Sequence, residues 1–398
     1  MRVGISSLMI QRGKTGVAQY LFGLLHGLER RTADEQFTVF VLQDDLPLFA
    51  PFKTSMRLVG VPERYREPIQ NIRWHQQYLP RLIREHRLDV LHVPSYRRLL
   101  WRKPCPMVAT IHDLAPFRVP DKYDWKRMLY GRVIVRWLAW RQDRIIAVSQ
   151  NTATDLVRFF RLPPDRIQVI HNGLDHQRFR PEPLGRSKTW ANKRFGLEAP
   201  FFLYVARLEH PAKNHLRLIS AFEQFRARCH LPWQLVLAGS DWHGAEAIHT
   251  AIGRSPQRQQ IRSLGFVQDH ELPDLYRAAD GFIYPSLYEG FGLPPIEAMA
   301  CGCPVISSTR GSLAEVIGDA ALTVDAENVG DIAEKMIALA TGAASSEALR
   351  LAGLAQAEKF NWTRTAAETV RVYEQATNYI RAAQTHLDSA AKALGAAQ

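Results

Sequence analysis

Short apolar runs alternate with helical stretches along almost the whole chain, and that alternation limits the possible folds more than any other feature. The runs are "MRVGISSLM", "FTVFVL", "DVLHVP", "PMVATIHD", "RIIAVS" and "RIQVIHNG", then "FFLYVARL", "WQLVLAG", "GFIYPS" and "CPVISS". Such short strands separated by helix-length segments predict parallel sheets with helices on both faces. The series breaks once, at "RPEPLGRSKTWANKRFGLEAP", a polar stretch rich in proline and glycine that reads as a linker. The 398 residues therefore divide into two doubly wound domains, 1–180 and 181–360. A last helix over 361–382 is expected to pack back on the first domain, and the Ala-rich tail 383–398 has little to bury.

The stretch "YPSLYEGFGLPPIEAMACGCPVISS" reads as strand, loop and helix and sets Glu289 and Glu297 eight positions apart. Glu297 has a structural reading as a first-turn acid facing the positive end of the helix dipole. Glu289 precedes the glycines, where the N–H groups of Phe291, Gly292 and Leu293 point beyond the strand's carboxyl end, a setting that suits phosphate. A carboxylate there either serves a structural loop or binds hydroxyls, since it accepts two hydrogen bonds from a vicinal diol.

In "YVARLEHPAKNHLRLISAF", Arg207 ends a strand and Lys213 stands six residues on, just before a helix. They form either a diphosphate clamp or two solvated surface cations. "QRGKTGVAQYLFGLLHGL" is a glycine turn feeding an amphipathic helix, so Gly16 lets backbone approach a ligand. "TIHDLAPF" leaves His112 and Asp113 at a strand end, where a histidine is more often structural than catalytic, and "HNGLD" is chiefly a turn. The G-x-G-x-x-G fingerprint is absent, which disfavours a nicotinamide enzyme.

The net charge of +12 is uneven: residues 1–200 hold 34 Lys+Arg against 18 Asp+Glu, and the remainder is net acidic. The segment 121–144 sets Trp125, Met128, Leu129, Ile134, Trp137 and Leu138 among Lys126, Arg127, Arg132, Arg136 and Arg141. That pattern fits a basic amphipathic helix on an anionic membrane, or an ordinary surface helix with long basic side chains. Nucleic acid is disfavoured as a partner, because no recognised module accompanies the charge. No apolar run is long enough to span a membrane and the chain starts directly in a strand pattern, so a cytoplasmic protein is expected. Cys105, Cys229, Cys301 and Cys303 read as small buried residues, since a lone C-x-C lacks the second ligand pair of a zinc site.

In order along the chain, "TGVAQY", "TIHDLAP", "HNGLD", "VARLEHPAKN", "LGFV", "YPSLYEGFGLPPIEAMACGCPVI" and "FNWTRTAAE" resemble the family 4 retaining glycosyltransferases. The resemblance implies an α/β chain of GT-B fold, two Rossmann-like domains facing across a cleft, the first for the acceptor and the second for the nucleotide-sugar. It implies that Glu289 holds donor-sugar hydroxyls, Glu297 the ribose, and Arg207 and Lys213 the diphosphate, with Gly16 beneath it. His112 would line the reaction centre, and the backbone from Gly265 through Phe266 to Val267 would meet the base. The first-domain loop has one glycine where many members have a pair, and "HNG" stands where "PNG" is usual. "IRWHQQYLP" and "HVPSYRR" resemble mannosyltransferases of bacterial surface polysaccharides. The expected activity is thus transfer of a hexose, mannose from GDP-mannose, to a lipid-linked or growing surface glycan, at the inner face of the cytoplasmic membrane. A UDP-hexose transferase, an epimerase of the same fold and a non-catalytic nucleotide-sugar binder are the alternatives. No D-x-D motif stands at a strand end, so no metal and no other cofactor are expected, with cations and helix amides meeting the phosphate charge.

Overall fold

The computed structural model describes residues 1–13, 15–31, 34–118 and 130–395. The chain divides into two compact units: Met1–Leu114, Tyr123–Gly173 and Trp362–Gln398 form the first, Ala115–Lys122 and Leu174–Asn361 the second.

The first unit is built on a seven-stranded parallel sheet. Its strands are β1 (Arg2–Ser6), β2 (Gln36–Leu42), β3 (Arg57–Val61), β4 (Val90–Val93), β5 (Met107–Ile111), β6 (Arg144–Ala147) and β7 (Ile167–Val169), in the order β3-β2-β1-β4-β5-β6-β7. The inner strands are apolar because helices cover both faces, and β4 and β5 are buried at every position. The strand order reverses between β1 and β4, the position at which a crevice opens beyond the carboxyl ends.

The helix Trp362–Gly395 belongs to this unit, and its Trp362, Ala366, Val370, Tyr373 and Ala376 enter the same core as Val3, Ile5, Leu21 and Leu24. Its approach depends on two glycines one turn apart in the helix Gly16–Glu29. A Cβ on Gly23 would lie 2.0 Å from the Trp362 ring, and one on Gly27 would lie 2.3 Å from the Trp362 carbonyl oxygen. The helix continues through the Ala-rich segment to Gly395, as the high helix propensity of alanine favours.

The second unit is a six-stranded parallel sheet of β8 (Phe201–Val205), β9 (Gln234–Ala238), β10 (Ile261–Gly265), β11 (Gly281–Tyr284), β12 (Val305–Ser308) and β13 (Leu322–Val324). Its order, β10-β9-β8-β11-β12-β13, reverses between β8 and β11. Phe202, Leu203, Tyr204, Phe282, Ile283 and Tyr284 are all buried, so these two central strands form the rigid floor on which strand-end residues stand.

Trp125, Lys126, Arg127, Met128 and Leu129 of the basic segment lie outside the described residues. The chain next makes a wide turn over Tyr130–Val135 and a short helix, Arg136–Trp140. Leu138 points inward, whereas Ile134, Trp137 and Trp140 are exposed. Among the described residues no helix is long and apolar enough to cross a membrane.

Candidate active site

At the β8/β11 switch point the second unit brings Lys213 and Glu289 together, 76 positions apart in sequence. Glu289 Oε1 accepts from Lys213 Nζ at 2.7 Å and from the Tyr284 hydroxyl at 2.9 Å. Both charged side chains are largely buried, at 16% and 13% exposure. Burial alone would raise the Glu289 pKa, but Lys213, together with hydrogen bonds from Ser286 and Tyr284, holds it below the usual glutamate value. The carboxylate is therefore ionised in a site that would otherwise favour its neutral form.

The backbone around the pair is fixed from several sides. The Tyr204 hydroxyl donates to Lys213 O at 2.6 Å, so the side chain at the end of β8 holds the lysine's own peptide. Asn214, in left-handed conformation at φ 61°, caps the helix His215–Cys229 and donates from Nδ2 to Pro285 O and Ala326 O, at 2.9 and 2.6 Å. Leu287 N–H donates to Ala212 O at 3.0 Å. On the other side Ser312 donates from its N–H to Glu289 O at 3.1 Å and from its hydroxyl to Phe291 O at 2.7 Å. Gly311 makes that approach possible: its φ is +65°, and a Cβ there would lie 2.4 Å from Glu289 O.

Phe291 and Gly292 lead into the helix Leu293–Ala300, with Gly292 at φ 99° as N-cap and prolines in the first turn. Phe291 is buried, its ring 5.7 Å from that of Phe360. Because the helix begins at Leu293, Glu297 is its fifth residue, and the first turn carries no acid. This corrects the reading of Glu297 as a first-turn acid; its partner is the Tyr276 hydroxyl, which donates to Oε2 at 2.8 Å. Burial raises the Glu297 pKa to about 7, against the opposing effects of Tyr276 and Arg178. The two glutamates thus sit in environments that push their protonation apart, an arrangement found where acids have separate tasks.

Arg207 stands two residues beyond β8. Its guanidinium lies 4.6 Å from the ring centroid of the exposed Trp242, and Nη2 is 3.7 Å from Glu209 Oε2. Gly265 closes β10 with φ +66°, and beyond it Phe266 is half exposed and Val267 is buried.

In the first unit Gly16 opens its helix behind the N-cap Thr15, whose side chain accepts from Ala18 N–H at 3.2 Å. Among the described residues, and apart from its chain neighbours and its own helix backbone, a Cβ on Gly16 would meet nothing within 4 Å. His112 follows β5, and its Nε2 lies 3.2 Å from Pro94 O, which can only accept; the proton is therefore on Nε2 and Nδ1 is the basic nitrogen. Burial lowers its pKa to about 4, so the ring is neutral at pH 7. Its edge meets the Tyr20 ring at 4.7 Å, and behind it runs a buried chain: Tyr20 hydroxyl to Thr110 Oγ1 at 3.0 Å, Thr110 to His92 Nε2 at 2.8 Å, His92 Nδ1 to the Tyr373 hydroxyl at 2.8 Å. Sequence reasoning missed Tyr20, His92, Thr110 and Tyr373, and likewise Tyr204, Tyr276 and Tyr284 in the second unit. Tyr204 and Tyr284 lie inside apolar strands and read as core, so that only their place near the strand's carboxyl end could have singled them out, and Tyr20, Tyr276 and Tyr373 read as core on buried helix faces.

Two parallel sheets, each reversing its strand order, are the architecture of the GT-B fold. The chain belongs to the glycosyltransferases: residues 14–178 match Glycosyltransferase Family 4 and residues 187–353 match Glycosyl transferases group 1. It is 30% identical over 292 residues to the O-antigen chain mannosyltransferase B of Escherichia coli, covering 73% of this chain and 76% of that one. It is 31% identical over 269 residues to the serotype-specific mannosyltransferase WbdA of Escherichia coli, but spans only 32% of that protein's length. Among solved structures, Anabaena HepE in complex with UDP and glucose superposes with a TM-score of 0.74 at 18% identity, over 94% of this chain and all of that one. That likeness concerns the fold.

Proposed function

We propose that this glycosyltransferase moves mannose from GDP-mannose to a hydroxyl of a lipid-linked or growing surface glycan, with retention of anomeric configuration. The observation that carries the reading is the buried Lys213–Glu289 pair at the switch point. Lys213 is placed to meet negative charge as the glycosidic bond to the diphosphate breaks, and Glu289 to hold hydroxyls of the donor sugar. Arg207 and the N–H groups of Phe291, Gly292 and Leu293 add donors for the same diphosphate, Gly16 gives it room, Glu297 takes the ribose, and Phe266 with Val267 takes the base. His112 lines the acceptor side as a neutral imidazole with Nδ1 available to accept.

Side-chain cations and helix amides supply the charge that a divalent ion supplies in other transferases, so we propose a metal-independent reaction. The likeness to an O-antigen mannosyltransferase supports mannose and a surface glycan. Exposed Trp101, Trp137 and Trp140 among arginines support peripheral work on an anionic membrane, at the cytoplasmic face where nucleotide-sugars are available.

The test is incubation of purified protein with GDP-mannose and a lipid-linked oligosaccharide, with and without excess EDTA, followed by NMR of the product. An α-mannoside formed equally in both samples is expected. A β-mannoside, or activity restored only by magnesium or manganese, would contradict the retaining or the metal-independent reading respectively. Transfer from a UDP-hexose instead would replace the donor.

A further inference from the structure

A cavity of about 270 Å³ opens at the amino edge of the first sheet, where β5, β6 and β7 begin. Among the described residues four cations line it, Lys103, Arg141, Arg144 and Arg166, against one carboxylate, Asp143. That carboxylate is engaged within the protein: Oδ1 accepts from Lys103 Nζ at 2.6 Å and Oδ2 from Met107 N–H at 2.8 Å.

Arg141 and Arg166 are held by backbone and rings. Arg141 Nε donates to Trp101 O at 3.0 Å, with its guanidinium 5.2 Å from the Trp137 ring. Arg166 Nη1 donates to Trp140 O at 3.2 Å, with its guanidinium 6.0 Å from the Trp140 ring. Trp140 is itself anchored by Nε1 donating to Phe160 O at 2.7 Å. A guanidinium held through one N–H and a ring face keeps further donors for an oxyanion in a fixed orientation. Trp101 and Trp137 meet edge to face at 4.8 Å, both exposed, and with exposed Ile134 and Val133 they form an apolar ledge next to these cations.

We infer that this cavity binds the phosphodiester headgroup of an anionic phospholipid while the tryptophan ledge enters the interfacial layer. Cations oriented for phosphate beside amphipathic rings match the two layers of a bilayer surface. The reacting sugar is excluded as occupant by distance, since the cavity precedes β5 and His112 follows it. The five residues of that strand separate them by roughly 16 Å at 3.3 Å per residue. The inference rests on the reading that the enzyme works at a membrane surface and adds the site through which it is held.

The experiment is sedimentation with phosphatidylcholine vesicles, with and without phosphatidylglycerol, across a salt series. The proteins are the parent, Arg144→Gln/Arg166→Gln, Trp101→Ser/Trp137→Ser, and Lys53→Gln/Arg57→Gln, which removes the same charge from exposed positions elsewhere on the first unit. The parent should bind only the anionic vesicles, and the cavity and tryptophan variants should bind on the order of tenfold more weakly, while the Lys53/Arg57 control stays near the parent. If the cavity variant melts early, Arg166→Lys, which keeps the charge and loses the fork and the stack, should still show weaker binding. A cavity variant that matches the control overturns the site and leaves membrane attachment standing. A parent that ignores anionic vesicles overturns the attachment itself. Release of the parent by millimolar glycerol 3-phosphate would assign the cavity to a free phosphate ester and overturn the lipid.

Discussion

Glu289 and Glu297 differ in charge state because their neighbours differ: the first touches a lysine, the second a tyrosine. With its pKa raised to about 7, Glu297 takes up a proton as the pH falls through neutrality, and protonation turns one carboxyl oxygen from an acceptor into a donor, which suits a ribose diol less. GDP affinity should therefore fall as pH drops from about 8 to about 6, as Glu297 takes up its proton. Glu297→Gln should bind weakly at every pH in that range, and calorimetry across the range checks this; an unchanged slope in the variant would assign the titration to another group. Glu289 stood out in the sequence because a charged group beside glycines beyond a strand end needs a reason to be there, and Lys213 because it stands between a strand and a helix with Arg207 close by. The pairing of Lys213 with Glu289 was not legible, since they stand on the loops after β8 and β11, strands that become neighbours only where the order of the sheet reverses. The tyrosines that position both were hidden for a different reason, their rings being buried like any core residue and only their hydroxyls reaching the site.

Among the elements, the strands missing from the sequence reading are β3, β10 and β13, and all three lie at sheet edges. An edge strand has a neighbour on one side only and needs less apolar surface, so "RLVGV", "IRSLG" and "LTV" mix buried with exposed positions and blend into the loops around them. Inner strands, covered on both faces, announce themselves as continuous apolar runs. The contact between the helices Gly16–Glu29 and Trp362–Gly395 is a further feature that spacing could not reveal, although it sits on two glycines that each cost helix propensity. Gly23→Ala gains about 1 kcal/mol of propensity yet places a methyl group 2.0 Å from Trp362. Overpacking should win, with a net loss of about 1 to 2 kcal/mol seen as a lower Tm. A raised Tm would mean that the terminal helix shifts away at no cost.

Over the whole molecule, two sheets built alike are used differently. The first unit carries the positive excess of the chain, the exposed tryptophans and a neutral histidine, while the second carries the ion pair that defines the proposed donor site. The architecture was legible because the alternating pattern runs nearly from end to end with a single interruption, and the motifs occur in one order along it. The donor's base and sugar were not legible, because they depend on side-chain shape around Phe266 and Glu289 rather than on pattern. The most direct test of the account is calorimetric titration of GDP and GDP-mannose into the parent, Lys213→Gln and Glu289→Gln, each first shown to be folded. Lys213→Gln should weaken both ligands roughly tenfold or more, as loss of a charged hydrogen bond to phosphate requires. Glu289→Gln should bind GDP like the parent and lose the extra affinity contributed by the sugar. Equal loss of GDP and GDP-mannose in Glu289→Gln, or parent-like binding of both by Lys213→Gln, would contradict the division of the donor between these two residues.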